Sequence, residues 1–190
     1  MNPIEKISRR RFLELTGIGS AGLLLMAAVP AVAGVLAEAE GASLNLFVSV
    51  KPDGSVEIIA HRSEMGTGIR TSLPQVVADE MEADWPRVTV IQGLGNPAYG
   101  SQDTDGSCSI RDFYLIMRQM GAAARRMLEQ AAAQRWGVGV SECKARDHAV
   151  HCSDGRSLGF GELASAASRQ AIPNMAELPL KAAGQFNYIG

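Results

Sequence analysis

This chain has few of the residues from which reactive sites are usually assembled. Its three cysteines and three histidines include no Cys-x-x-Cys, so neither a disulfide framework nor an iron–sulfur site can be read from spacing. His148 and His151 fall in a stretch that reads as a strand, where residues three apart point to opposite faces, and no metal site is assigned. Ser107 and Cys108 have no histidine beside them in a nucleophile pattern. Glu64 has no second titratable group fixed near it; a solvated or a loop-bracing carboxylate is the simpler reading, and no catalytic residue is assigned. There is no Gly-x-Gly-x-x-Gly and no Gly-Lys-Ser/Thr phosphate loop. A net charge of −2 gives no basic surface for nucleic acid, and the chain has no internal repeat.

The N-terminus says more. Ser8-Arg9-Arg10-Arg11-Phe12-Leu13-Glu14 has the twin-arginine export pattern, an apolar stretch runs from Leu15 to Val32, and Ala31-Val32-Ala33 offers a small-x-small cleavage site. The alternative, a permanent membrane anchor, needs about 20 predominantly apolar residues and is weakened by Pro30, Gly17, Gly19 and Gly22. Residues 1–33 are therefore read as a twin-arginine signal peptide leading to the periplasm, with the product free there or associated with the inner membrane. Residues 34–43 read as a linker, 44–172 as one domain, and 173–190 as a connecting segment with no closing element.

Leu44, Leu46, Val48 and Val50 alternate with Asn45, Phe47, Ser49 and Lys51. Pro52-Asp53-Gly54 makes a turn, and Val56 and Ile58 continue the period, which predicts a hairpin over 44–61. The helix that follows has two possible starts: Ser72 as N-cap with Gln75 at N3, or Ile69 with Pro74 inside the helix. Its C-terminal end carries Asp79, Glu80, Glu82 and Asp84 against the dipole, for no reason the sequence supplies. Trp85-Pro86 closes it and 87–92 reads as a third strand. Ser109-Ile110-Arg111-Asp112 fits a capping box, opening a long helix with Phe113, Ile116/Met117, Met120, Ala124, Met127/Leu128 and Ala131 at helical spacing and Gly137 as its stop. Gly121-Ala122-Ala123-Ala124 lets another element approach that helix closely. A short hairpin around Ser153-Asp154-Gly155 and a helix over 161–170 follow. The fold class is α+β, a β-hairpin and third strand packed with two main helices.

Two glycine-bearing segments, 63–74 and 102–111, each run into a helix start. Unpaired N–H groups and the positive end of the dipole make such a start an anion site, and two of them point to a phosphate-bearing cofactor held from both sides. Taken alone, Gly66-x-Gly68 or Gly106-Ser107 is ordinary turn geometry. Arg70 and Arg111, at the helix starts, are either placed for anion contacts or ordinary surface arginines. His61 either orients the first loop or caps the strand. The loop 93–107 exceeds the roughly 12–15 residues beyond which structureless connections are uncommon in compact domains unless functional or disordered.

Glu64-Met65-Gly66-Thr67-Gly68-Ile69-Arg70-Thr71-Ser72-Leu73-Pro74 and Asp103-Thr104-Asp105-Gly106-Ser107-Cys108-Ser109-Ile110-Arg111 resemble the molybdopterin-binding large subunits of the xanthine dehydrogenase/aldehyde oxidase family. The branch they are most similar to is the exported isoquinoline 1-oxidoreductase beta-subunit and aldehyde dehydrogenase type; the segments 118–125 and 155–163 resemble it too. The resemblance implies that Gly66, Thr67, Gly68, Gly106 and Ser107 line the pocket of molybdopterin, in its cytosine dinucleotide form, with molybdenum. In the family the first loop is usually Glu-Met-Gly-Gln-Gly, and Thr67 stands where its pterin-contacting glutamine would be. The implied activity is oxidation of a small-molecule substrate, an aldehyde or an N-heterocycle, with water-derived oxygen. The implied partners are a small subunit with two [2Fe–2S] clusters and a cytochrome c electron acceptor. Family subunits are several times longer and carry a general-base glutamate near their C-terminus. The chain is therefore expected to be an incomplete N-terminal part of a molybdopterin-binding domain. Alone it should be inactive, with the methionine-rich face of the 112–136 helix open to water. The competing expectation is an exported non-catalytic domain that binds an anion or a partner.

Overall fold

The alternating segment folds as a hairpin in the computed structural model, which describes residues 42–189; the stretch read as a signal peptide and most of that read as a linker lie outside the described residues. A two-residue strand β1 (Ala42–Ser43), in the stretch read as linker, pairs with β2 (Val48–Val50), and β2 pairs antiparallel with β3 (Val56–Ala60), Val48 opposite Ile58. Asp53 Oδ1 closes the turn by accepting from the Ser55 N–H and Oγ. The alternation does not reach back to Leu44. Asn45 Oδ1 accepts the Phe47 N–H at 3.0 Å, a side-chain turn that sends Phe47 inward (2 % exposed) and Leu46 outward (42 %).

The first helix, α1 (Ile69–Met81), takes the earlier of its two possible starts. Ser72 does not cap; its hydroxyl donates back to the Gly68 carbonyl at 3.0 Å. Pro74 lies inside the helix and has no N–H to give the Arg70 carbonyl. β4 (Val88–Gln92) then returns parallel to β3, Val56 opposite Val88, which completes a strand–helix–strand crossover and a sheet of order β1-β2-β3-β4.

The long helix α2 (Cys108–Trp136) packs mainly on α1. The two approach at Gly121, where a Cβ would lie 2.5 Å from the Val77 carbonyl oxygen, so the small run serves the purpose expected of it. Met117 and Met127 are each 1 % exposed: the methionines are core, the simplest reading of their helical spacing, and α1 and the sheet cover the face that an incomplete domain was expected to leave open to water. The outward apolar residues of α2 are instead Ile110, Leu115 and Ile116. The Ser109 capping box does not form. The helix starts at Cys108 without a side-chain cap, and Asp112 takes the Arg111 Nε at 2.8 Å.

A second sheet, β5 (Cys143–Arg146), β6 (Ala149–Cys152) and β7 (Ser157–Gly159), is an antiparallel meander followed by α3 (Phe160–Ala167). His148 lies in the β5–β6 turn and not in a strand. Its buried ring accepts the Asp84 N–H on Nδ1 (3.0 Å) and donates from Nε2 to the Gly54 carbonyl (2.7 Å), tying the second sheet to the first hairpin. Among the described residues no helix is long and apolar enough to cross a membrane.

The acids at the end of α1 hold the connecting segment. Asp79 and Glu80 are fully buried. Asp79 receives Lys181 Nζ (2.9 Å) and the N–H groups of Asn187, Tyr188 and Ile189. Glu80 receives Arg118 Nε (2.6 Å) and the Lys181 N–H. Among its described residues the tail has no strand or helix beyond two single 3₁₀ turns, Met175–Glu177 and Ala183–Gln185, yet it is fixed by charge.

Candidate functional site

The first glycine loop is braced from within. Glu64 Oε1 accepts the N–H groups of Gly66 (2.6 Å) and Gly68 (3.0 Å), and Oε2 accepts that of Arg70 (3.1 Å). These bonds, the Arg70 one foremost, hold the Glu64 carboxyl below the usual carboxylate range. Two donors of the helix start, the Gly68 and Arg70 N–H groups, are thus already spent on a carboxylate of the same loop.

Thr104 Oγ1 donates to the Ser63 carbonyl at 2.8 Å, joining the two loops. Between them lies an open depression of about 430 Å³. Thr67 and Ser72 line one side; Thr104, Gly106, Ser107 and Ser109 line the other; Met65 and Ile110 are apolar walls, and Asp105 brings one carboxylate. Three of the five expected site residues, Thr67, Gly106 and Ser107, therefore share one cavity. Gly66 and Gly68 flank Thr67 with their N–H groups on Glu64. Gly106 (φ +49°) and Ser107 (φ +54°) are both left-handed. That conformation costs a non-glycine residue roughly 1–2 kcal/mol and tends to collect at functional sites. Neither Arg70 nor Arg111 lines the depression; Arg111 is engaged by Asp112.

Sequence reasoning missed Arg62. Its side chain is 0 % exposed, its Nη1 donates to Ser101 Oγ (3.2 Å) and its Nη2 to Cys108 Sγ (3.3 Å), and its Nε has no partner among the described residues. It forms no ion pair there either, and lowers the Asp112 pKa only as a distant charge. The guanidinium also lies 4.7 Å over the Phe113 ring, yet a buried cation with no carboxylate beside it is costly. This one sits behind the start of α2, where the hydroxyl-lined depression opens. Nothing in the sequence around it marks it out. Beside it His61, 1 % exposed, packs against Phe47, Tyr99 and Phe113, and neither ring nitrogen has a partner among the described residues. It neither caps the strand nor bonds the loop, and burial, helped by the Arg62 charge, lowers its pKa to about 4. Among the described residues no cluster of three or more His, Cys, Asp or Glu is placed to hold a metal ion directly.

The family described as "Molybdopterin cofactor-binding domain" matches residues 7–188. The chain belongs to this family. It is 38 % identical over 170 residues to the beta-subunit of isoquinoline 1-oxidoreductase from Brevundimonas diminuta, covering 83 % of this chain and 22 % of that protein. Against the membrane-bound aldehyde dehydrogenase (pyrroloquinoline-quinone) of Gluconacetobacter polyoxogenes, identity is 33 % over 194 residues, 97 % of this chain and 25 % of the relative. A nicotinate dehydrogenase subunit of Pseudomonas putida is 31 % identical over 196 residues, 100 % of this chain and 16 % of its own length. The chain thus spans a quarter or less of each of these relatives. The reconstituted CO dehydrogenase of Oligotropha carboxidovorans shares the fold, with a TM-score of 0.53 at 16 % identity over 81 % of this chain and 22 % of that one. The mixed architecture is therefore part of a molybdopterin-binding domain, as the two loops implied. The residues present fit such a group: hydroxyls line the depression, a buried guanidinium without a carboxylate lies behind it, and a Cβ on Gly68 or Gly106 would project into open space.

Proposed function

We propose that this chain is the part of a molybdenum hydroxylase large subunit that grips one side of the molybdopterin. The observation that carries the reading is the meeting of Thr67, Gly106 and Ser107 in one depression between two glycine loops, in a chain of the molybdopterin-binding family. The hydroxyls of Thr67 and Ser107 and the backbone at Gly106 would bind and orient the cofactor, in its cytosine dinucleotide form, while Gly66 and Gly68, their N–H groups held by Glu64, shape the loop that presents Thr67. Arg62, behind the start of α2, balances its negative charge. When bound, the metal supplies the oxygen-insertion and electron-accepting chemistry by which aldehydes or N-heterocycles are oxidised with water-derived oxygen. No residue at the depression is assigned a proton-transfer role, which supports the reading that the chain is inactive by itself.

Two of the relatives are named as subunits of oxidoreductases, which supports a small partner with two [2Fe–2S] clusters that passes electrons to a cytochrome c. The leader at Arg9–Arg11 supports delivery to the periplasm by the twin-arginine route, free or at the inner membrane. Metal and pterin analysis of the full-length gene product, purified with its partners, tests the reading. Molybdenum and a cytosine-bearing pterin in near-stoichiometric amount are expected. A protein that lacks both, or that carries pyrroloquinoline quinone in their place, would sink the proposal.

A further inference from the structure

Cys143 and Cys152 stand opposite each other on β5 and β6. The pair is of the non-hydrogen-bonded kind: the neighbouring Ser153 N–H goes to the Glu142 carbonyl, while the Cys152 N–H turns away to the Arg156 carbonyl. Cα atoms at such positions lie about 4.5 Å apart, within the roughly 4.4–6.8 Å that disulfides span. Both side chains are buried on the same face, 2 % and 7 % exposed, and both thiols are free. They lie close enough to interact, and burial, with the Cys152 thiol beside it, pushes the Cys143 thiol above its ordinary value. Cys152 also lines an open depression with Glu142, Lys144 and Ser153, so a reagent can reach this end of the pair. The third cysteine, Cys108, is engaged elsewhere, by Arg62 and Asp105.

We propose that Cys143 and Cys152 are a modification site, closing to a cross-strand disulfide when the protein meets a disulfide oxidant, whether a small molecule or a protein. The Cys152 thiolate attacks one sulfur of the oxidant, forms a mixed disulfide and expels the other sulfur as thiolate. Cys143 then loses its proton and attacks the Cys152 sulfur, forming the Cys143–Cys152 bond and expelling the second thiolate. The two protons from the protein thiols end on the two thiolates released, so two protein thiols are oxidised and one disulfide is reduced. The bond fixes the register of the second sheet, whose turn residue His148 reaches the first hairpin. The proposal is independent of the cofactor reading.

The test exposes the full-length protein to oxidised glutathione, quenches with acid, alkylates and digests with trypsin without reductant. We expect the peptide 136–144, which carries Cys143, to appear linked to the peptide 147–156, which carries Cys152, with the loss of two hydrogens and release by dithiothreitol. The linking rate should rise with pH, because Cys143 must deprotonate. In a Cys143→Ser variant the glutathione should remain attached to Cys152. Recovery of both cysteines as alkylated thiols after long exposure, or a link from either one to Cys108, would overturn the proposal.

Discussion

Lys181 Nζ lies 2.9 Å from Asp79 Oδ1, with the carboxylate fully buried and the ammonium also bonded to the Asp79 carbonyl and to Glu82. This pair joins the end of α1 to the tail. Burial alone would raise the Asp79 pKa, but the Tyr188 N–H, the Lys181 ammonium and the Asn187 N–H outweigh it and hold the group below its ordinary 3.8. The stability it adds is therefore full above that value and is lost as pH falls through the depressed one. Removing one partner of a buried pair costs about 3–5 kcal/mol. Asp79→Ala and Lys181→Met should each lower the urea midpoint by a corresponding amount, and the double variant should lose clearly less than their sum. Additive losses would show that the pair contributes nothing as a pair.

His61 should make the protein acid-sensitive well above the carboxylate range. Its folded pKa of about 4 lies under the ordinary 6.5, so below pH 6.5 the unfolded chain takes up a proton that the folded one refuses. Stability then falls as pH drops from 6.5 towards 4, by up to about 1.4 kcal/mol per pH unit. His148 shifts in the same direction, so the informative quantity is the difference between proteins. His61→Phe should flatten the urea-midpoint profile over this window relative to the wild type. Parallel profiles would mean that His61 titrates normally.

The hairpin at Val48–Ile58 and the stop at Gly137 were legible because each rests on residues adjacent in the chain: a period of two around a proline–glycine turn, and a left-handed residue after a helix. The acids of α1 were not, because Asp79 meets a partner 102 residues later, and no local pattern announces a pairing at that distance. Glu64 was half legible. Its loop-bracing role could be read, but not that it occupies the helix-start donors the glycines seemed to leave for a ligand. Arg62 was illegible altogether, since only the packed structure shows that the guanidinium is buried without a carboxylate.

Glu64 yields a prediction that separates two uses of the first loop. If the carboxylate shapes the loop, Glu64→Ala frees the N–H groups of Gly66, Gly68 and Arg70 but disorders the wall that carries Thr67. Molybdenum and pterin content of the full-length protein should then drop several-fold. Glu64→Gln, which keeps one acceptor oxygen, should retain more. A Glu64→Ala protein loaded to wild-type level would mean that the cofactor itself takes those donors.

Arg62 is the residue where stability and cofactor retention should part company. Burying its charge without a carboxylate costs free energy that its bonds to Ser101 and Cys108 only partly offset. Arg62→Met should therefore leave the cofactor-free protein, made in a host that cannot synthesise molybdopterin, no less stable in urea than the wild type. In a competent host, the same variant should lose most of its molybdenum and pterin, because the positive charge behind the start of α2 is gone. Arg62→Lys keeps the charge but cannot reach Ser101 and Cys108 together as a planar fork does, and should fall between the two. If Arg62→Met instead loses several kcal/mol in the cofactor-free state and loads normally whenever it folds, Arg62 is a structural brace for the second loop. Its charge would then play no part in holding the cofactor.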